Sequence, residues 1–280
     1  MPRSEPAVSQ SDSSNPDPNV SVEALPPPPA REKPMGFWDH LEELRGTIIK
    51  SLIAFVICAT LVGIFATEFN HAMLWPLHHV AKDYPTLDTR LGTQSIMEVF
   101  NMIISLCVFG GLLLASPFIL YFVAQFVSPA LTEREMKAVL PLCISALILF
   151  LIGAAFSFFL LMPSTIRVAI ELSTAFDLEN RWTVGNYFST LTWLVLGSGG
   201  VFEFPLVIVL LVWLGILTTA FLRKYRRHAI VVIFIIAAIV TPTPDPFTQT
   251  LFAVPLYGLF ELSIIVSTRV EKRRMVRTKS

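Results

Sequence analysis

The sequence predicts an all-α integral membrane protein with six transmembrane helices, both ends cytoplasmic, and short fifth and sixth helices. Three observations carry this. The chain of 280 residues is 54% hydrophobic and only 15% charged, whereas soluble domains carry roughly 25% charge. Its apolar residues gather into six charge-poor runs. Its cations are divided very unevenly between alternate loops.

Residues 1–34 hold nine of the 20 prolines, with many Ser, Asp and Glu. This segment has too little apolar surface to offset the entropy of ordering, so it reads as a disordered cytoplasmic tail. It lacks the basic stretch and short apolar core of a cleaved signal peptide. A membrane domain is expected over 35–268, followed by a basic cytoplasmic tail over 269–280.

The first apolar run covers about 48–66, with Lys50 near its start. The second covers about 99–126, after Glu98. The third is about 138–163, between Lys137 and Arg167. The fourth is about 187–213, interrupted only by Glu203. Runs two to four exceed the ~20 residues that cross ~30 Å of hydrocarbon. Pro117, Pro141 and Pro205 lie in or near them, where kinks are expected. The fifth run, about 228–241, has only twelve uncharged residues from Ala229 to Val240, about 18 Å of helix. "TPTPDP" at 241–246 then forces a turn into a sixth run at about 249–267, interrupted by Glu261. Two short neighbours joined by a tight hairpin thin the bilayer locally or admit water. The loops 67–98 and 164–186 are long enough to hold short helices. Alternating ten-residue strands, the mark of a membrane β-barrel, are not seen.

With both ends inside, seventeen of the 21 Lys and Arg residues face the cytoplasm. Only Lys82, Arg90, Arg167 and Arg181 lie outside, which fixes the orientation as N-in and C-in. The formal net charge is zero, which points to no nucleic-acid partner. Cys58, Cys107 and Cys143 all lie in apolar runs without a CxxC pair, so neither a disulfide framework nor a metal site is expected. Membrane lipids are the expected surroundings, and no cofactor is implied.

The nonamer "FWDHLEELR" at 37–45 stands just before the first run. Asp39 followed by Glu42 fits a capping box, so a helix is expected to start near His40. Phe37, Leu41, Leu44 and Ile48 then form one apolar stripe. Glu42 reaches Arg45 at i+3, which leaves Glu43 without a local partner. The plain alternative is a solvated cap beside the membrane.

"HLEELR" followed by an apolar span resembles the amino-terminal signature of the TatC family, the multi-spanning subunits of the twin-arginine protein translocase. "SPFILYFVAQFVSPALTEREMKAVLP" at 116–141 is similar to that family's second span, first cytoplasmic loop and third span. "GVFEFPLVIVLLVWLGI" at 200–216 is similar to its fourth span, and "PDPFTQTLFAVPLYGLFE" at 244–261 to its last hairpin and sixth span. The likeness is collinear from about 37 to 267.

The resemblance implies a curved, glove-like bundle in the cytoplasmic (inner) membrane of a prokaryote. It implies a receptor for signal peptides bearing an Arg-Arg pair, which exports folded proteins with the proton-motive force. Its partners would be the single-span subunits TatA and TatB and further TatC copies. The family's two signal-binding glutamates map onto Glu43 and Glu135, with Arg45 and Lys137 holding them in place. The chemistry suits the task, because a guanidinium is planar, permanently charged and docks bidentately on carboxylate. Two departures stand out. Thr47 replaces a frequent basic residue, and the loop carries an extra acid, Glu133. The register of "ALTERE" onto "VLPL" favours Glu135.

Glu203 is costly in a span unless it faces water, a partner or another helix. The resemblance puts it on the concave face. It also puts partner contacts near Thr241, Asp245 and Gln249, although "TPTPDP" is one residue longer than the family's usual turn, so Thr241 and Thr243 compete for one role.

The rival readings are weaker. A rhomboid-type protease needs Gly-x-Ser-Gly, but "LGSGG" has Leu196 at the first position and no intramembrane His to serve as base. No Walker motif is present. A proton-coupled small-solute carrier with Glu203 as proton site leaves Glu43 and Glu135 unexplained. No enzyme activity is expected.

Overall fold

A computed structural model describes residues 37–84, 89–127, 133–178, 182–243 and 245–278. The tail expected over residues 1–34 therefore lies outside the described residues. Among those described, every regular element is a helix, apart from one isolated parallel bridge between Gly92 and Thr183.

Helix α1 spans Phe37–Ile64 and is followed by the short helices α2 (Ala66–Met73) and α3 (Trp75–Ala81). The chain is already helical at Phe37, so Asp39 lies inside α1 and is not its cap. In a helix that starts at Phe37 the Glu42 amide already bonds back to Trp38, so a capping box at Asp39 has no free amide there to satisfy. Of the predicted apolar stripe, the Phe37 side chain lies outside the described residues. Leu41, Leu44 and Ile48 are all exposed, as expected of a surface that faces lipid.

Helix α4 (Ile96–Val127) carries Pro117 in its interior and meets α1 through Gly111. A Cβ added at Gly111 would stand 2.8 Å from the Ala59 backbone. Only glycine lets the two backbones approach this closely, as in other small-residue contacts between membrane helices.

The third apolar run is longer than its sequence suggests. Helix α5 (Glu133–Phe156), a π-helical turn (Ser157–Leu161) and α6 (Met162–Ala175) form one continuous helical stretch. The wide turn ends just before Pro163, whose ring would clash with the carbonyl four residues back in an unbroken α-helix.

The fourth run splits at Glu203, which ends α7 (Val184–Phe202) and precedes α8 (Phe204–Trp213). Pro205 sits in the first turn of α8, where its missing N–H costs nothing. After α9 (Thr219–Lys224), helix α10 (Arg226–Val240) and helix α11 (Pro246–Thr278) form the closing hairpin.

Among the described residues, five stretches are long and apolar enough to cross a bilayer: Leu41–Ile64, Ile96–Phe126, Leu140–Ala175, Val184–Trp213 and Pro246–Glu271. Helix α10 has 15 residues, about 22 Å, and matches the expected short fifth helix. The sixth helix is not short. Its apolar stretch of 26 residues begins at the hairpin itself and runs past Glu261, and the helix continues through basic residues to Thr278. An acid paired within the protein does not end a membrane helix.

The core is built where α7 packs on α5 and α4, and where α11 packs on α8 and α10. Phe156, Phe202 and Phe252 join three of these elements, with ring centroids 5.8–6.5 Å apart. Such aromatic contacts give side-by-side helices a fixed register.

Candidate functional site

The first two turns of α1 place Glu43 and Arg45 on one short segment. Arg45 is exposed, whereas Glu43 is half-buried. The Oε2 atom of Glu43 is sealed from solvent and has no hydrogen-bond partner among the described residues. A buried carboxylate oxygen of this kind is costly to keep unless something supplies a donor. Glu135 and Lys137 fall in the first turn of α5, but their side chains lie outside the described residues, as does that of Glu133.

Glu203 is the second acid in this condition. It stands at the joint between α7 and α8, and its Oε1 atom is sealed and unpartnered among the described residues. Its backbone carbonyl accepts from the amides of Leu206 and Val207 at 3.0 and 3.1 Å, so this carbonyl is satisfied even though the Oε1 atom is not.

The hairpin residues are placed differently. Asp245 caps α11: its Oδ2 accepts from the Thr248 amide at 2.7 Å and its Oδ1 from the Thr248 hydroxyl at 2.5 Å. Burial pushes this carboxyl up, but hydrogen bonds from Thr243 and Thr248 outweigh it, and the group ends below its ordinary value of 3.8. Gln249 donates its side-chain amide to the Phe234 carbonyl at 3.0 Å, which ties α11 to α10. Thr241 is buried and donates to the Ala237 carbonyl at 2.8 Å. Thr243 sits 3.2 Å from the Thr248 hydroxyl.

Three further carboxylates hold the fold together. Glu98 accepts from the Gln94 amide at 2.7 Å and from the Gly185 amide at 2.8 Å, so an acid on α4 caps the start of α7. Beside it, Gly92 exchanges backbone bonds with Trp182 and Val184 at 2.9 and 3.0 Å. Glu261 pairs with Arg226 at 2.8 Å and accepts from the Tyr257 hydroxyl at 3.0 Å. Glu271 accepts from the amide and hydroxyl of Thr219 and so binds α11 to the start of α9. Sequence reading missed Glu98 and Glu271 as structural acids. The only cue for Glu98 is an acid beside an apolar run, and its partner lies 87 positions away.

The chain matches the family model described as "Sec-independent protein translocase protein (TatC)" over residues 39–255. It is 37% identical over 182 residues to a Sec-independent protein translocase protein TatC of Akkermansia muciniphila, covering 65% of this chain and 52% of that protein. It thus spans only about half the length of that relative. It is 34% identical to the protein of that name from Escherichia coli strain K12, covering 81% of this chain and 86% of the relative. A crystal structure of a "Twin Arginine Translocase Receptor- TatC" aligns with a TM-score of 0.69 at 34% identity, covering 82% of this chain and 99% of that one. A match over most of the apolar body, together with the same helical fold, places the chain in the TatC family of Sec-independent protein translocase proteins.

Proposed function

We propose that this multi-pass membrane protein is the receptor subunit of a twin-arginine translocase. It recognises the paired arginines of an export signal on the cytoplasmic side of a prokaryotic inner membrane. The observation that carries this reading is the Oε2 atom of Glu43, shielded and without a donor among the described residues, at the mouth of the first span. A guanidinium supplies the missing donors in a geometry that an ammonium cannot copy. Glu135 takes the second arginine, while Arg45 and Lys137 hold the acids in place when no signal is bound. The apolar segment of the signal adds the rest of the affinity, because exposed ion pairs give only ~1 kcal/mol each.

In the same reading the amino and carboxyl ends face the cytoplasm, with residues 1–34 and 269–280 as tails flanking the membrane domain. TatA and TatB dock near the α10–α11 turn, and folded cargo crosses at the expense of the proton-motive force. Glu203, at a break between two helices, serves the intramembrane step. Family membership leaves the solute-carrier reading without support. The test is photocrosslinking from position 43 or 135 to an Arg-Arg signal peptide beside a Lys-Lys control. Selective capture of the Arg-Arg peptide supports the assignment, and equal labelling by both peptides sinks it.

A further inference from the structure

Helices α9 and α10 meet at Tyr225, and every other residue from 223 to 228 is a cation or a histidine: Arg223, Lys224, Arg226, Arg227 and His228. All of them are exposed. Helical bonding continues across Tyr225, whose amide donates to the Phe221 carbonyl at 3.1 Å and whose carbonyl accepts from the Ala229 amide at 2.9 Å. Lys224 and Arg227 stand three positions apart and so share one face. Val231 and Ile235, both exposed, continue that face at four-residue spacing. Exposed apolar side chains of this kind on a membrane helix meet lipid.

Two contacts fix the depth of this joint. Arg226 pairs with Glu261 at 2.8 Å, and Glu261 lies well inside the α11 span that begins at Pro246, about 22 Å along the helix. The hydrocarbon layer is about 30 Å thick. Arg223 donates to the Thr268 hydroxyl at 3.2 Å, close to the end of the same span at Glu271. The cations therefore stand at the hydrocarbon border and up to about 8 Å inside it. A cation at that depth is costly unless it reaches water or an anion. Glu261 is taken by Arg226 and Tyr257, and Glu271 by Thr219. Among the described residues Lys224 and Arg227 have no carboxylate partner. The anion that surrounds a membrane protein at this level is the lipid phosphate. Phe221 and Tyr225, both exposed with ring centroids 4.4 Å apart, add the aromatic surface that settles among headgroups.

We infer that this face binds one anionic phospholipid, with Lys224 and Arg227 donating to its phosphate oxygens and an acyl chain lying along Val231 and Ile235. A zwitterionic headgroup binds less well, because its ammonium meets cations and no free acid. The site is independent of signal recognition, since it repels the paired arginines of a signal.

The test uses the full chain, stripped of lipid in detergent, titrated with phosphatidylglycerol or phosphatidylethanolamine and read by native mass spectrometry. A saturable phosphatidylglycerol adduct is expected, at least ~fivefold tighter than that of phosphatidylethanolamine. Arg227→Gln should weaken it about fivefold, the effect of one cation near an anionic surface. Adding Lys224→Gln should bring the loss to about twentyfold. Arg227→Lys should retain most of the binding, and Lys82→Gln, at an exposed cation after α3, should change nothing. Equal binding of the two lipids overturns the proposal, as does a double variant that binds phosphatidylglycerol like the parent. Displacement of the lipid by equimolar glycerol phosphate would mark a site for free phosphate and overturn the lipid assignment. Tighter binding of a hexaglutamate peptide than of the lipid would overturn it in favour of an acidic protein segment.

Discussion

Glu98 and Glu203 are both single acids at the border or in the middle of an apolar run, and they meet opposite fates. Glu98 collects two backbone amides from separate segments and becomes part of the scaffold. Glu203 occupies a helix joint where its backbone carbonyl is satisfied but Oε1 of its carboxylate is not. Asp245 and Glu43 repeat the contrast nearer the helix ends, one capping α11 and the other holding a sealed, unpartnered oxygen. The physical lesson is that a partnered acid stabilises the fold, whereas an unpartnered one is a liability for the isolated chain. The proposed function gives the Glu43 and Glu203 carboxylates a task outside the chain.

Four substitutions can break this contrast or sharpen it. The largest effect is expected at Glu43. Glu43→Lys should reduce capture of an Arg-Arg signal peptide by at least ~tenfold, the equivalent of one charge-assisted hydrogen bond. Thermal unfolding in detergent should show little loss, since the sealed Oε2 atom of Glu43 has no described partner to lose. A destabilised chain would place Glu43 among the scaffold acids.

Glu203→Leu comes next. Removing a sealed, unsatisfied oxygen should stabilise the chain by about 1–2 kcal/mol and at the same time block export of a folded reporter. A variant with intact export would remove Glu203 from function.

Glu98→Ala should act in the opposite sense. Hydrogen exchange at the Gly185 amide should quicken about tenfold or more, as expected when a charged acceptor is lost, and signal capture should be unchanged. Unaltered exchange would show that the clasp contributes nothing.

The smallest effect is expected at the hairpin. Asp245→Ala should cost about 1 kcal/mol, the usual value of a helix cap. The folded carboxyl sits below its ordinary value of 3.8. Its contribution is therefore complete above that pH and disappears as pH falls through the lower folded value. Unfolding curves of parent and variant should converge in acid and differ at neutral pH.

Much of this architecture was legible because lipid enforces simple rules. Charge-free runs of sufficient length must be helices, and the twelve-residue gap after Arg227 marked α10 as short. What escaped notice depended on contacts between distant segments. The Gly185 amide that engages Glu98 lies 87 positions along the chain, and the Thr219 groups that engage Glu271 lie 52 away. The early start of α1 and the length of α11 escaped because local signals were outweighed by neighbouring helical turns. At the candidate site, the sequence singled out Glu43 as the acid without a local partner, and the structure leaves its Oε2 unpartnered. The second half of that site, Glu135, lies among side chains outside the described residues.

The most direct test of the contrast is equilibrium binding of a synthetic Arg-Arg signal peptide to the parent, Glu43→Gln and Glu98→Gln chains in nanodiscs. Affinity should fall at least ~tenfold in Glu43→Gln and stay unchanged in Glu98→Gln. Equal affinity for the parent and the Glu43→Gln chain would contradict the assignment of the unpartnered acid to the incoming arginine.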